Sequence, residues 1–279
     1  MEPHAHHRET APDAAPKEAG RPIDLAALKR QAWQDTVHEL RDLVFSKDAA
    51  YEADAAVSRK IDENSRFTPG FLALLAGASV VCTLGLLMNS SAVIIGGMII
   101  SPIMWPLIKA AFGVSFENLS YIWRAAAILA FSVILAVLAS AAITLLSPIH
   151  ALDAEILART HPTFLDIVVA LVAGFVAALG MIKPRISENL AGVAIAVSLM
   201  PPLCVAGIGI ALVNGAVSLA GLYLFLENAV AIIFVATLVF AYYSRVTKRM
   251  SVWRRRSIIA LAIVLAIVSI PGIVSLYHG

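Results

Sequence analysis

Seven stretches of this chain are apolar over the length a helix needs to cross a bilayer, at about 69–88, 91–115, 122–147, 164–183, 190–213, 219–243 and 257–276. Each is near the roughly 20 residues that span the hydrocarbon core. In lipid every backbone amide and carbonyl must be paired within the protein, so stretches of this length and composition fold as helices. Composition agrees. The hydrophobic set makes up 59% of the chain and charged residues 14%, against about 45–50% and about 25% in an average soluble domain. Mean hydropathy is +0.83. An ordinary soluble enzyme and a disordered chain are both excluded. The expected fold class is all-α: a polytopic transmembrane bundle of seven helices, whose short linkers make neighbours antiparallel.

Charge divides the chain. Residues 1–66 carry 10 of the 21 Lys and Arg and 13 of the 19 Asp and Glu, which leaves the other 213 residues poor in acids. Residues 1–22 are polar and Pro/His/Ala-rich. They read as a disordered tail with no cleavable signal peptide, and His4, His6 and His7 lack a second ligand cluster that would make a metal site. Residues 23–66 read as a cytoplasmic helical hairpin. One helix carries Leu25, Leu28, Trp33, Val37, Leu40 and Val44, and a second carries a thinner stripe of Ala50, Ala53, Val57 and Ile61. Residues 67–279 form the transmembrane domain, opened by Thr68 as cap and Pro69 in the first helical turn. Cys82 and Cys204 lie in apolar stretches and read as buried thiols rather than a disulfide.

Basic residues flank the spans unevenly. With the N-terminus in the cytoplasm, the inner ends hold Lys109, Arg124, Lys183, Arg185, Arg245, Lys248, Arg249 and Arg254–Arg256, whereas the outer loops hold only Arg159. The positive-inside rule then gives a cytoplasmic (inner) membrane protein with the C-terminus outside. The Arg254–Arg256 cluster reads as a topology signal in contact with lipid headgroups, and nothing supports nucleic-acid binding.

The segment Asn89–Pro102 aligns without a gap on Asn189–Pro202, at an offset of 100 residues. Asn89 meets Asn189, Val93 meets Val193, Ile95 meets Ile195 and Pro102 meets Pro202. The same offset carries spans one to three (about 67–147) roughly onto spans four to six (about 164–247), with one extra helix at about 257–276. Because three is odd, the second triplet enters the membrane in the opposite sense. Inverted 3+3 repeats of this kind place binding sites near the midplane, at interrupted helices. Here the middle span of each triplet is expected to be broken by proline: Pro102 and Pro106 in the first, Pro201 and Pro202 in the second. Each proline removes an amide donor and clashes with the preceding turn. The freed carbonyls then either line a polar pathway or are sealed in a packed kink.

Polar residues near these breaks are the candidate pathway or binding residues. Asn89, Ser90, Ser91 and Asn189 begin the broken helices, as N-caps or as polar lining. Ser101 and Ser198 adjoin the prolines and are placed to replace lost backbone bonds. Glu227, about eight residues inside span six and next to Asn228, is the sharpest candidate. A carboxylate at that depth is costly unless neutral, paired or facing water, so it reads as a proton or cation site or as a structural polar contact. Lys109, late in span two and beyond both prolines, can face the cavity, but snorkelling to the inner headgroups is the favoured reading. Gly96, Gly97, Gly192, Ala194, Ala196, Gly207 and Gly209 suit close helix contacts. Between Ser147 and Thr163 lies the one long outer loop, in which Asp153–Arg159 is expected to form a short amphipathic helix. No metalloprotease, serine-hydrolase, dithiol or P-loop pattern is present, so neither enzymatic activity nor a cofactor is expected.

The run Leu84–Pro106 and the run Leu190–Leu203 resemble the prokaryotic hydrophobic membrane proteins of domain-of-unknown-function family 389. The resemblance extends over about Phe67–Tyr243, and Asn228 falls where that family has an asparagine after a Leu-Phe-Leu run. Gly97 departs from the alanine the family has there. The resemblance implies an integral inner-membrane protein of a bacterium or archaeon, and it brings no substrate and no site residues. Two functions are therefore carried forward. One is a secondary transporter or channel for a small solute or ion. The other is a non-transporting scaffold or sensor that recruits a partner through the N-terminal helices. Either can act as a homo-oligomer.

Overall fold

The computed structural model describes residues 31, 33–34, 50–148, 151–182, 188–245 and 251–272, and within these all side chains except those of 50–55, 188–197 and 244–245. The tail 1–22 with its histidines lies outside the described residues, as do Lys183, Arg185, Lys248 and Arg249. The chain forms two units, Met1–Phe45 and Ser46–Gly279. In the first, residues 31, 33 and 34 are helical.

In the second unit the described residues form helices and no strands. They are α1 (Ala50–Asn64), α2 (Pro69–Leu87), α3 (Ser91–Ile100), α4 (Met104–Ser115), α5 (Leu119–Leu146), α6 (Ala154–Leu157), α7 (Phe164–Ile182), α8 (Glu188–Ala211), α9 (Gly215–Arg245) and α10 (Val252–Val268). Four helices are long and apolar enough to cross a membrane: α2, α5, α7 and the Gly215–Tyr243 part of α9. The pair α3 and α4, bent by 53°, makes a fifth if it is counted as one span. Only 33% of the most apolar stretch of α5 is buried inside the protein. Phe131, Ile134, Leu138, Leu145 and Leu146 stand exposed along it, an apolar surface suited to lipid rather than water.

The first break falls where the sequence places it. Helix α3 stops at Ile100 because Pro102 pushes Ser101 into extended backbone (φ −69°, ψ 126°). Ser101 Oγ then accepts from the Ile103 amide at 3.4 Å. Pro106 falls in the first turn of α4, where an absent donor leaves no gap.

The second break does not occur. Helix α8 runs unbroken through Pro201 and Pro202, which corrects the expectation of two proline-broken middle helices. The reason lies on α9. Pro202 has no amide to offer the Ser198 carbonyl four residues earlier, and Asn228 Nδ2 donates to that carbonyl at 2.8 Å instead. Gly221 lets α9 come this close, since a Cβ there would sit 2.6 Å from the Pro202 carbonyl oxygen. From Ser198 to Gly209 every residue of α8 is buried. The helix is sheathed by α2, α3, α5, α7 and α9, as expected of a helix apolar all round.

Three interhelical turns share one geometry. After α2, α4 and α8 the chain passes through a non-glycine residue at positive φ: Asn89 (50°), Glu117 (59°) and Val213 (54°). The next amide reaches back to a glycine carbonyl, Ser90 to Gly85, Asn118 to Gly113 and Asn214 to Gly209, each at 2.8 Å. This is the wide bond of a Schellman motif. Each glycine also faces the backbone nitrogen nine residues on, at Ile94, Ile122 and Ser218. In the last two turns an asparagine caps the new helix, with Asn118 Oδ1 accepting from Tyr121 and Asn214 Oδ1 from Val217, both at 3.2 Å. The glycines of these two turns lie 96 residues apart (113 and 209), the same spacing that separates Pro106 from Pro202.

Two basic residues turn inward rather than toward headgroups. Lys109 is 4% exposed, and its Nζ donates to Asp62 at 2.8 Å and to Ser65 at 3.0 Å. It fastens α1 to α4, with Val57 and Ile61 of α1 buried beside it. Arg254, 3% exposed, donates from Nη1 to the Ser115 carbonyl at 3.2 Å, neutralising the C-terminal end of α4. A buried cation needs partners more than a headgroup does, and both find them within the protein.

Burial alone would raise the Asp62 carboxyl. Hydrogen bonds from Lys109 and Tyr121, with the charges of Lys109 and Arg124, together hold it below the usual carboxylate range. A depressed carboxyl stabilises the fold above its ordinary titration range and loses that contribution as pH falls through its folded value. The clamp is therefore expected to be intact at neutral pH and to weaken below about pH 4. The Asp62 side chain is 36% exposed, so screening limits its worth to roughly 1 kcal/mol. Thermal unfolding in detergent from neutral to acid pH checks this. Asp62→Asn is expected to lower stability at pH 7 and to flatten the acid limb.

Candidate functional site

The proline segment of α8 borders a cavity of about 380 Å³. Ser198 and Pro202 line it from α8, Leu224 and Asn228 from α9, and Met98 from the last turns of α3. Asp166 and Val169 of α7 close one side, and Glu155, Ala158 and Arg159 lie on or beside the short helix α6. The two proline segments meet next to it, where Ser101 Oγ donates to Met200 Sδ at 3.4 Å.

Its polar groups have distinct assignments. Arg159 is paired with Glu155, Nη1 to Oε2 at 2.7 Å, and also donates to the Glu155 carbonyl. The Ser91 hydroxyl donates to Glu155 Oε1. The Ser91 bond first, then that of Arg159, hold this carboxyl below the usual range against the opposing effect of burial. Asp166 Oδ2 accepts from the Thr163 amide at 2.8 Å and from its hydroxyl at 2.6 Å. Asn228 is 2% exposed. Its Nδ2 donates to the Ser198 carbonyl, while its Oδ1 has no hydrogen-bond partner among the described residues. Glu227, fully buried, has none for either carboxylate oxygen. It stands beside the wall, where a Cβ on Gly272 would be 3.4 Å from Glu227 Oε1 and 3.4 Å from the Thr163 backbone.

The structure brings together Ser198, Pro202 and Asn228 on the cavity wall. Ser101, Pro102 and Pro201 adjoin it through the meeting of the proline segments. Asn89 and Ser91 reach it indirectly. Asn89 Oδ1 accepts from the Glu155 amide at 3.0 Å and so ties the α2–α3 turn to α6 instead of capping α3. Ser90 occupies the cap position of α3 without a side-chain bond. Pro106 lies in the first turn of α4 and is not among the lining residues. Asn189 is helical, and its side chain lies outside the described residues. Sequence reasoning missed Met98, Glu155, Arg159 and Asp166. The i, i+4 spacing of Glu155 and Arg159 signals their mutual pair. Nothing local signals that the pair docks on residues more than 60 positions earlier.

Comparison with known proteins bears on this cavity. Residues 98–234 match the family model described as a domain of unknown function (DUF389). The sequence resemblance thus holds, and the residues of the DUF389 segment include every one that lines the cavity. The chain is also 29% identical over 170 residues to an uncharacterized protein of Methanocaldococcus jannaschii, a match covering 61% of this chain and 53% of the relative. The chain thus spans about half the length of that curated relative. No solved structure matches.

Proposed function

We propose that this chain is a member of the DUF389 family, a multi-pass protein of the cytoplasmic membrane that moves a small solute or ion through the cavity between α3, α7, α8 and α9, and that the moving species is a cation or a donor-rich solute. Its role is transport rather than enzymatic chemistry, with no cofactor. The observation that carries this reading is Asn228 Oδ1, a buried acceptor on the cavity wall without a partner. A buried unmet acceptor costs about 1–3 kcal/mol, and a donor or cation passing through would meet it. The rest of the lining has the same sign. Glu155 and Asp166 face one cation, Arg159, which is already paired, and Glu227 adds two unpartnered oxygens close by.

The seven-span architecture with inverted repeats belongs to this proposal. Helix α8, with 24 residues, is about 36 Å long. Helix α10 has Arg254 against Ser115 at one end, and Gly272, just past the other, beside Glu227 and Thr163. Both therefore have the reach of spans. The matched turns at Gly113 and Gly209 support a repeat. So does the exchange of partners, in which α5 packs on α8 and α4 on α9. An odd triplet then inverts, with the N-terminus inside and the C-terminus outside.

Proteoliposomes loaded with pH- and cation-sensitive dyes test the reading. Flux of protons, a monovalent cation or a small organic ammonium is expected above that of empty vesicles, with Glu227→Gln lowering it at least about tenfold, the scale on which removing one charge-stabilising group acts. Background flux for the whole cationic panel would count against it. The separate unit Met1–Phe45 favours the second reading, a scaffold that recruits a partner. Deleting residues 1–45 separates the two, since transport predicts retained flux.

A further inference from the structure

A second cavity, of about 360 Å³, opens where α2 and α5 begin. Its size is within the range of small-molecule sites, about 300–1,000 Å³. Arg66 precedes α2, Arg124 lies in the second turn of α5, and Lys109 forms part of the wall. Against these three cations stands one carboxylate, Asp62, which is bonded to Lys109. Arg66 and Arg124 have no ion-pair partner among the described residues. The local excess is therefore two positive charges, on the side chains whose planar fork suits phosphate oxygens.

The remaining wall is apolar. Phe67, Ala127 and Ile128 line it, and Phe67 sets its ring edge-on to Phe131 at 5.0 Å. Along α5 the wall descends from Arg124 to Ile128, which lies nine residues past Leu119 and so about 13 Å along the axis. It continues onto an exposed apolar face of α5, at Phe131, Ile134 and Leu138. A bare phosphate would satisfy only the mouth. A molecule with an anionic head and an apolar continuation satisfies the whole surface.

We infer that this cavity binds an anionic phospholipid, its phosphate held between Arg66 and Arg124 and its glycerol and upper acyl chain lying along α5. Basic pockets between membrane helices are suited to such headgroups. The site is independent of the transport reading, since four of its residues precede the family segment and none lines the first cavity.

The full chain, delipidated in neutral detergent, is titrated with fluorescent phosphatidylglycerol and, in parallel, phosphatidylcholine. Phosphatidylglycerol is expected to bind more tightly. Arg66→Ala/Arg124→Ala is expected to weaken it roughly 30-fold, at about a fivefold factor per arginine. Both arginines are exposed, so the fold is expected to survive, with an unchanged thermal transition as control. Arg255→Ala/Arg256→Ala, an exposed basic pair on α10, is expected to bind as the wild type does. Inorganic phosphate in large excess is expected not to displace the lipid. Equal affinity for the two lipids, undiminished binding in the Arg66/Arg124 variant, or displacement by inorganic phosphate would each overturn the assignment, the last in favour of a soluble phosphate site.

Discussion

Asn228→Ala is expected to cost about 1–3 kcal/mol of stability, and adding Pro202→Ala to it is expected to recover most of that loss. The Ser198 carbonyl is buried in α8, and Pro202 cannot donate to it. In the native chain Asn228 Nδ2 does so at 2.8 Å. Removing the amide takes away the donor that α9 supplies to that carbonyl. Alanine at 202 restores the backbone N–H that a helix ordinarily supplies. Pro202→Ala alone is expected to be near neutral, because a carbonyl oxygen has two lone pairs and can accept both donors. The double-mutant cycle, read by thermal unfolding in detergent, should therefore give a coupling of about 1 kcal/mol or more. Additive costs would mean that α8 tolerates its prolines for another reason.

The same bond marks the limit of what the sequence discloses. That Pro201 and Pro202 remove donors is legible from their chemistry. Whether the helix then breaks depends on a donor 26 residues further on, and no local pattern announces it. At Pro102 the orphaned Met98 carbonyl is met locally by the Ser101 amide at 3.2 Å, and the helix breaks as expected. The spans α2, α5, α7 and most of α9 were readable because length and lack of charge suffice to define them. Thr68 was readable as a cap, and its Oγ1 does accept from the Phe71 amide at 3.1 Å. Lys109 was misread because its partner Asp62 lies 47 residues earlier, in a helix whose apolar stripe is too thin to reveal where it docks. The repeat is harder to read, because apolar identities such as Val93 with Val193 recur easily in sequences built from few residue types. A glycine followed five residues later by asparagine, as at Gly113 and Gly209, is a rarer signature.

Gly96 and Gly97 are adjacent, and alanine at each is expected to act with opposite sign. A Cβ on Gly96 meets nothing within 4 Å. Gly96→Ala should therefore gain about 0.5–1 kcal/mol from the better helix former alone. A Cβ on Gly97 would stand 2.7 Å from the Cys82 nitrogen and 3.0 Å from the Ala78 carbonyl oxygen. Those atoms are backbone of α2 and cannot swing aside, so Gly97→Ala should cost roughly 1–3 kcal/mol, the range of overpacked sites. Unfolding midpoints of the two variants against the wild type decide it, and a shared sign would mean that α2 and α3 do not approach this closely. The consequence reaches the cavity. Met98 follows Gly97 and lines the wall opposite Pro202, and Ser101, three residues on, touches Met200. Alanine at 97, the residue that the family resemblance places there, would push α3 away from α2 and carry both contacts with it. Glycine here sets how near the broken helix stands to the unbroken one. A flux change in Gly97→Ala beyond its loss of folded protein would tie that spacing to transport.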